Sequence, residues 1–317
     1  MDAFHIFAFA FSLCFVSVFA STRIVNGTDA LEGEFPFAVS LRHNSRHTCG
    51  GTILNEKYIL SAAHCVCNDK RYGFEPFGWL FSPRNSSAYS IQYGLNEITT
   101  EATNVVNVKK INCHNFDSDK LIFDCAVLEL ESPLPDDGSW KPVTISKDFD
   151  TKSPQTGIII GWGKTAQDAP LSRKLQKLQV DIFDDETCAA AMDNTHHICF
   201  GAMNGGACNG DSGTALLVDN QQVGIASFIT NKCGIATKKH PNVYSRVPTY
   251  FDWISNIMAR QDKEEKQDEE ARRQQEKQDE EARRQQEKQD EEARRQQEKQ
   301  DEEAKRQQKK QDEEARR

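Results

Sequence analysis

The chain has 317 residues, a net charge of −9 and ten cysteines. The acidic excess is shared between a charged C-terminal segment (17 basic and 21 acidic residues) and the remainder, and no basic stripe runs along either, which excludes nucleic acid as a partner class. The cysteine content points to an oxidising compartment.

From the N-terminus, Met1–Ala20 is apolar between Phe4 and Phe19 and ends Val18-Phe19-Ala20. This predicts a secretory signal peptide, although Asp2 stands where a basic residue is usual. The run falls short of the ~20 residues a spanning helix needs, so no membrane association is expected after its removal. Between Ser21 and Arg260, short β-branched runs such as Val105-Val106-Asn107-Val108, Gly157-Ile158-Ile159-Ile160 and Gln222-Val223-Gly224-Ile225-Ala226 are punctuated by Gly, Pro, Asn and Asp. No long amphipathic helical pattern occurs before Tyr250, so this part is predicted to be all-β, and its length suits one domain.

From Gln261 to Arg317 the unit Glu-Lys-Gln-Asp-Glu-Glu-Ala-Arg-Arg-Gln-Gln recurs every 11 residues, with Ala271, Ala282, Ala293, Ala304 and Ala315 in register. No apolar residue larger than Ala is present, so the tail cannot bury a core of its own. Its period, about 3.67 residues per turn, suits a helix. Asp268–Arg272 and Glu269–Arg273 are favourable i,i+4 pairs, while Glu265–Glu269 opposes them. An alanine-only seam offers a coiled coil little to bury. A solvated single helix, about 85 Å long at ~1.5 Å per residue, and a disordered charged tail both stay open. No breaker separates the apolar helical pattern of Tyr250–Ile257 from the first repeat, which favours the helix.

Chemistry concentrates in three segments: Ala62-Ala63-His64-Cys65, Phe123-Asp124-Cys125-Ala126-Val127-Leu128 and Cys208-Asn209-Gly210-Asp211-Ser212-Gly213. A serine hydroxyl is a weak nucleophile until a base takes its proton, and that base needs a carboxylate to fix its tautomer. The chain order His, Asp, Ser fits one of the convergent solutions to this problem and not the Asp-His-Ser or Ser-Asp-His orders.

On these residues, together with Arg23-Ile24-Val25-Asn26-Gly27, Cys49-Gly50-Gly51, Gly161-Trp162-Gly163 and Tyr250-Phe251-Asp252-Trp253-Ile254, the chain resembles the chymotrypsin/trypsin family of serine endopeptidases from Ile24 to about Arg260. The resemblance implies two six-stranded antiparallel β-barrels with a C-terminal helix and the active site between the barrels. It divides the chain into a signal peptide (1–20), an activation peptide (21–23), a protease domain (24–260) and the repeat tail (261–317). His64 would act as general base and then general acid, Asp124 would orient it, and Ser212 would form the acyl-enzyme, with the backbone N–H groups of Gly210 and Ser212 as oxyanion hole. Cleavage after Arg23 by an outside trypsin-like protease would free the Ile24 amino group to pair with Asp211, so the resemblance implies a secreted zymogen acting on proteins or peptides. It also implies the disulfides Cys49–Cys65, Cys188–Cys199 and Cys208–Cys233. Cys67, Cys113 and Cys125 fall outside that pattern, leaving room for one extra bridge plus one free or intermolecular thiol. No cofactor and no metal are expected, since Glu97 and Glu101 stand too close together for the family's calcium loop.

The specificity pocket is assigned to Gly206, Ala207, Ser227, Phe228, Ile229 and Asn242. Gly206 stands where trypsins have Asp, so no acid awaits Arg or Lys. Ile229 and Asn242 replace the glycines of wide pockets, which implies a shallow, elastase-like slot; a chymotrypsin-like slot stays open because Gly206 leaves depth below. The family's Gly-Gly-Pro after the nucleophile is replaced by Gly213-Thr214-Ala215. That departure keeps a second function in view, an inactive homologue that binds a protein partner, although such homologues usually lose a triad residue and none is lost here. An insertion from Val66 to Ser90 carries Phe74, Phe77, Trp79, Leu80 and Phe81, and reads either as a self-packed loop or as a lid over the cleft. Asn26-Gly27-Thr28 and Asn85-Ser86-Ser87 are glycosylation sequons at Asn26 and Asn85. The repeat tail leaves room for a partner of its own.

Overall fold

The structure, a computed structural model, describes residues 24–68, 83–151 and 155–315. The expected signal and activation peptides, and the insertion aromatics Phe74 to Phe81, lie outside the described residues. Two compact units are present, residues 1–255 and 256–317.

In the first unit, strands β1 (Thr28–Asp29), β2 (Ala38–His43), β3 (Arg46–Ile53), β4 (Tyr58–Ser61), β5 (Tyr89–Gln92), β6 (Val105–Cys113) and β7 (Ala126–Leu130) come first. Six of them close a barrel in the order β2-β3-β4-β7-β6-β5. There follow β8 (Thr144–Ile145), β9 (Gln155–Gly161), β10 (Gln176–Ile182), β11 (His197–Gly201), β12 (Ala215–Val218), β13 (Gln221–Ile229) and β14 (Asn242–Arg246). The order β10-β11-β14-β13-β12-β9 closes through the β9–β10 pairing into a second six-stranded antiparallel barrel. Alternation places the side chains: along β10, Val180 and Ile182 are buried while Gln179 and Asp181 face solvent. Val180 and Ile182 join Ile159, Ile198, Phe200, Leu216 and Val223 in the second barrel's core. Trp162, fully buried, gathers Phe35 and Ala38 from the first barrel's side with Ile160, Ala215 and Leu217 from the second, and so welds the seam.

Three helices are short or terminal: α1 (Ala63–Val66), α2 (Asp185–Ala189) and α3 (Val247–Ala315). The bridges Cys49–Cys65, Cys188–Cys199 and Cys208–Cys233 form, and the extra one is Cys67–Cys113. Cys67–Cys113 spans 46 residues, a separation for which loop-closure entropy gives about 4 kcal/mol of stabilisation. It fastens the start of the insertion to β6. Among the described residues Cys125 is the free thiol; it is fully buried, and burial together with the Asp124 charge pushes its pKa up. An intermolecular bridge at Cys125 is therefore ruled out by packing. Among the described residues no helix is long and apolar enough to cross a membrane.

In the second unit the repeats are helical through Ala315. Ion pairs Glu269–Arg273, Glu280–Arg284, Glu291–Arg295 and Glu302–Arg306 recur at i,i+4. The aspartates behave differently from the expected Asp268–Arg272 pairing: Asp279, Asp290, Asp301 and Asp312 accept from the glutamine amide one turn earlier. Glu reaches the guanidinium at this spacing, and the shorter Asp takes the neutral donor. Removing Gln261–Arg317 is expected to lower the helical circular-dichroism signal per molecule markedly while leaving turnover of small peptides unchanged. High salt should weaken the full-length signal, since the pairs are exposed; equal signals from both proteins would show that the tail is not helical in solution.

Candidate active site

His64 lies on the single turn α1, whose Ala63, Cys65 and Val66 are buried and hold the turn against the first barrel. Its backbone N–H donates to Asp124 Oδ1 at 2.8 Å and its Nδ1–H to Asp124 Oδ2 at 2.7 Å. Asp124 is 2% exposed, accepts a further hydrogen bond from Ser227 Oγ, and its carbonyl accepts from Ser245 Oγ at 2.9 Å. Burial alone would raise the Asp124 pKa, but the His64 charge and hydrogen bond, with Ser227 and the His64 N–H, bring it below the ordinary value. Burial likewise pulls His64 down and nearby Arg84 opposes its proton, yet the Asp124 charge and hydrogen bond outweigh both and raise its pKa above 6.5. The pair is built to keep a carboxylate ionised beside an imidazole that gains proton affinity from it.

Ser212 sits between two glycines with left-handed backbone, Gly210 (φ 98°) and Gly213 (φ 82°). A Cβ on Gly213 would stand 2.4 Å from both Gly50 O and Ser61 Oγ, so the tight turn admits nothing larger. The Ser212 carbonyl accepts from Gly50 N–H at 2.7 Å. Gly50 follows Cys49, which bridges to Cys65 beside His64, so one short segment of β3 holds the serine turn and the histidine turn together. Among the described residues, neither the Gly210 nor the Ser212 N–H donates to a protein acceptor. His64 Nε2 faces Cys65 Sγ at 3.7 Å, and no hydrogen bond joins it to Ser212 Oγ; such bonds often tighten only when substrate is bound.

Asp211 is buried, accepting from Gly163 N–H at 2.7 Å and Cys208 N–H at 2.9 Å, and burial outweighs these bonds to push its pKa up to about 7. Thr214 fits the departure from the family pattern: its Oγ1 donates to Asp211 O at 2.6 Å, and its methyl fills the space over Gly50, where a Cβ would be 2.1 Å away. Ala215, in β12, then pairs with Ile225 of β13, so the strand that follows Ser212 is intact.

The cavity beside Ser212, about 50 Å³, is lined by Ala207, Ser227, Phe228, Ile229 and Tyr244 among others. Gly206 and Asn242 do not line it and adjoin it through Ala207. Asn242 is fully buried, its Oδ1 accepts from Ala207 N–H at 2.7 Å, and that oxygen is 2.5 Å from where a Gly206 Cβ would be. The depth expected below Gly206 is thus filled by the Asn242 amide. Asn26 and Asn85 are both exposed. The only cluster of metal-ligand types among the described residues, Cys49, His64 and Cys65, has both sulfurs consumed in a disulfide.

Sequence reading missed the supports. Ser245 carries no motif, and Ser227 stood out only as a pocket wall. His47 accepts from Ser40 Oγ at 2.8 Å and donates through Nε2 to Gly210 O at 3.1 Å, so it props the turn that carries Gly210. Burial, partly offset by the Gly210 bond, lowers its pKa to about 4 and keeps it neutral. Its position two residues before Cys49 offered no signal.

Comparison with known proteins identifies the family. The Trypsin family model matches residues 24–254. The chain is 34% identical over 250 residues to serine protease SP24D of Anopheles gambiae, covering 76% of this chain and 83% of that one. It is 29% identical over 234 residues to chymotrypsin-2 of Vespa crabro, covering 73% and 98%. Among solved structures, neuropsin, a serine protease of mouse brain, superposes with a TM-score of 0.61 at 24% identity over 73% of this chain and 98% of that one. Human heparin binding protein gives 0.60 at 23%, over 74% and 96%. At such identities these two show the fold alone. The chain belongs to the trypsin family of serine endopeptidases.

Proposed function

We propose that His64, Asp124 and Ser212 are the catalytic triad, with the Gly210 and Ser212 N–H groups as oxyanion hole, and that the protein is a secreted zymogen activated by cleavage at Arg23–Ile24. The observation that carries the triad is the Asp124 carboxylate, fixed by the backbone N–H and the Nδ1–H of His64 and by Ser227 on the wall of the cavity that Ser212 lines. Ser212 Oγ attacks the scissile carbonyl, His64 takes its proton and returns it to the leaving amine, and water then hydrolyses the acyl-enzyme. An ionised Asp124 holds the Nδ1–H tautomer, leaving Nε2 free to act as the base.

Two observations support activation. Among the described residues, Asp211 is a buried carboxyl with no cation beside it. Ile24 is fully buried among Ile159, Val180 and Phe200, with φ of 33°, a costly geometry for a β-branched residue. Cutting the 23–24 bond removes that constraint and supplies an ammonium group. The apolar leader and the disulfides support secretion, and exposed Asn26 and Asn85 are proposed glycosylation sites. Labelling by a fluorophosphonate probe before and after limited cleavage at Arg23 tests the reading: the probe should react only with the cut chain. Cut protein that neither reacts nor hydrolyses peptides would make the chain a binding homologue instead.

The pocket favours small to medium aliphatic residues before the scissile bond, the elastase-like reading. Its volume of about 50 Å³ holds roughly four heavy atoms at ~10–15 Å³ of such space each, which suits Val or Leu better than Phe. Lys or Arg would bury a cation against Ala207, Phe228 and Ile229, and the one acid on the lining, Asp211, is taken by the Ile24 amino group in the activated chain. Among matched peptides, Val and Leu are expected to exceed Arg and Lys in kcat/KM by about a hundredfold or more. Efficient Arg cleavage would overturn the pocket assignment and the need for an outside activator together.

A further inference from the structure

The segment leading into Asp124 is held in unfavourable backbone geometry. Leu121 has φ of 54° and Phe123 φ of 59°, the left-handed region where a bulky side chain is an outlier. Each is tied by one buried side chain. The Leu121 carbonyl meets His197 Nε2 at 2.6 Å, and the Phe123 N–H donates to the Tyr250 hydroxyl at 3.2 Å. Tyr250 comes from α3 and is 1% exposed. The Phe123 ring stacks on His114 with centroids 5.0 Å apart and meets His196 edge-on at 4.9 Å. The Cys125 N–H then folds back onto Phe123 O at 2.8 Å, which leaves Asp124 at the apex of a three-residue turn.

We propose that Tyr250 is a positioning residue for Asp124: its hydroxyl holds Phe123 left-handed, and the three-residue turn transmits that constraint to the carboxylate that receives His64. This rests on the reading of Asp124 as the orienting carboxylate. A proline-like lock is impossible at a left-handed residue, and Phe lacks the local hydrogen bonding that lets Asn adopt this geometry, so the restraint has to come from outside the segment. The competing account is that the hydroxyl only satisfies a buried N–H in a packed corner, which would affect stability and not turnover.

The test is a cycle on the activated full chain, with active sites titrated. Tyr250→Phe keeps the ring and removes the acceptor; kcat is expected to fall about fivefold with KM unchanged. Phe123→Asn, which relieves the left-handed strain, should keep kcat within about twofold, and in that background Tyr250→Phe should cost no further turnover. An unchanged kcat in Tyr250→Phe, or the same loss with Asn at 123, overturns the proposal. Should Tyr250→Phe fail to fold alone, the double variant carries the test: it is expected to fold with the kcat of Phe123→Asn, and an inactive double variant counts against the idea. Asp124→Asn run alongside separates the two failures. If it leaves turnover intact, the triad reading is wrong; if it abolishes turnover while Tyr250→Phe does nothing, only the positioning role is.

Discussion

Ser212→Ala is expected to lower kcat of the activated protein by about 10⁶, and Asp124→Asn by about 10⁴. The two losses differ for a physical reason. Without the Ser212 hydroxyl no acyl-enzyme forms, and the remaining hydrolysis comes from the oxyanion donors and substrate binding alone. Asp124→Asn leaves the nucleophile in place but presents an amide to His64 Nδ1, so the imidazole no longer has its proton held on the correct nitrogen. The pH profile separates the cases further. His64 works as a base only when neutral, and Asp124 raises its pKa above 6.5, so kcat/KM of the native enzyme should fall as pH drops through a midpoint above that value. In Asp124→Asn the midpoint should move down, because the charge that stabilised the imidazolium is gone and the burial that opposes it remains. Both variants should keep a native melting transition. A loss below tenfold for either, in folded and activated protein, would remove that residue from the mechanism.

The barrels could be read in the sequence, and the proposed triad named there, because short local contexts carry them: Ala62-Ala63-His64-Cys65 and Gly210-Asp211-Ser212-Gly213 encode their own turns, and β-branched runs encode strands. What escaped depends on contacts between distant segments. Three cysteines outside the family pattern admit more than one pairing; only closure of β6 against the His64 turn brings Cys67 to Cys113 and seals Cys125 inside. The pocket floor depended on the direction of one amide. Asn242 turns its oxygen onto Ala207 N–H over the bare Cα of Gly206, a geometry that neither residue's identity dictates. Thr214 seemed a threat to the nucleophile turn until its methyl was seen to occupy the space over Gly50. In the tail, favourable Glu–Arg and unfavourable Glu–Glu spacings nearly cancel, so propensity alone could not choose between helix and coil. The glutamine-to-aspartate bonds, which a count of charges overlooks, add to the helical side.

The uncut chain is expected to lose stability relative to the cut chain as pH rises from about 4 to 7, with Asp211 as the cause. In the uncut fold, burial lifts the Asp211 pKa from its ordinary 3.8 to about 7. Between those values the folded state keeps a proton that the unfolded state releases, so folding stability falls as pH rises through the window, by at most roughly 4 kcal/mol. His47 acts in the opposite sense. Its pKa of about 4 in the fold, against an ordinary 6.5, makes stability rise over an overlapping range, but it is buried neutral in either form and cancels when the two are compared. On the proposed activation, cleavage would place the Ile24 ammonium within reach of Asp211, restore the carboxylate to its charged form and remove the penalty. The measurement is the melting temperature of Ser212→Ala protein, uncut and as a fusion processed to begin at Ile24, from pH 4 to pH 8. The gap between the two should be small at pH 4 and widen toward pH 7. Asp211→Asn should abolish the widening and, in the chain with Ser212 restored, lower activity by about 10²–10³, because the turn that aims the Gly210 and Ser212 N–H groups loses its anchor. A gap that does not change with pH would mean that Asp211 is not the group the new N-terminus meets, and the activation mechanism would have to be sought elsewhere in the chain.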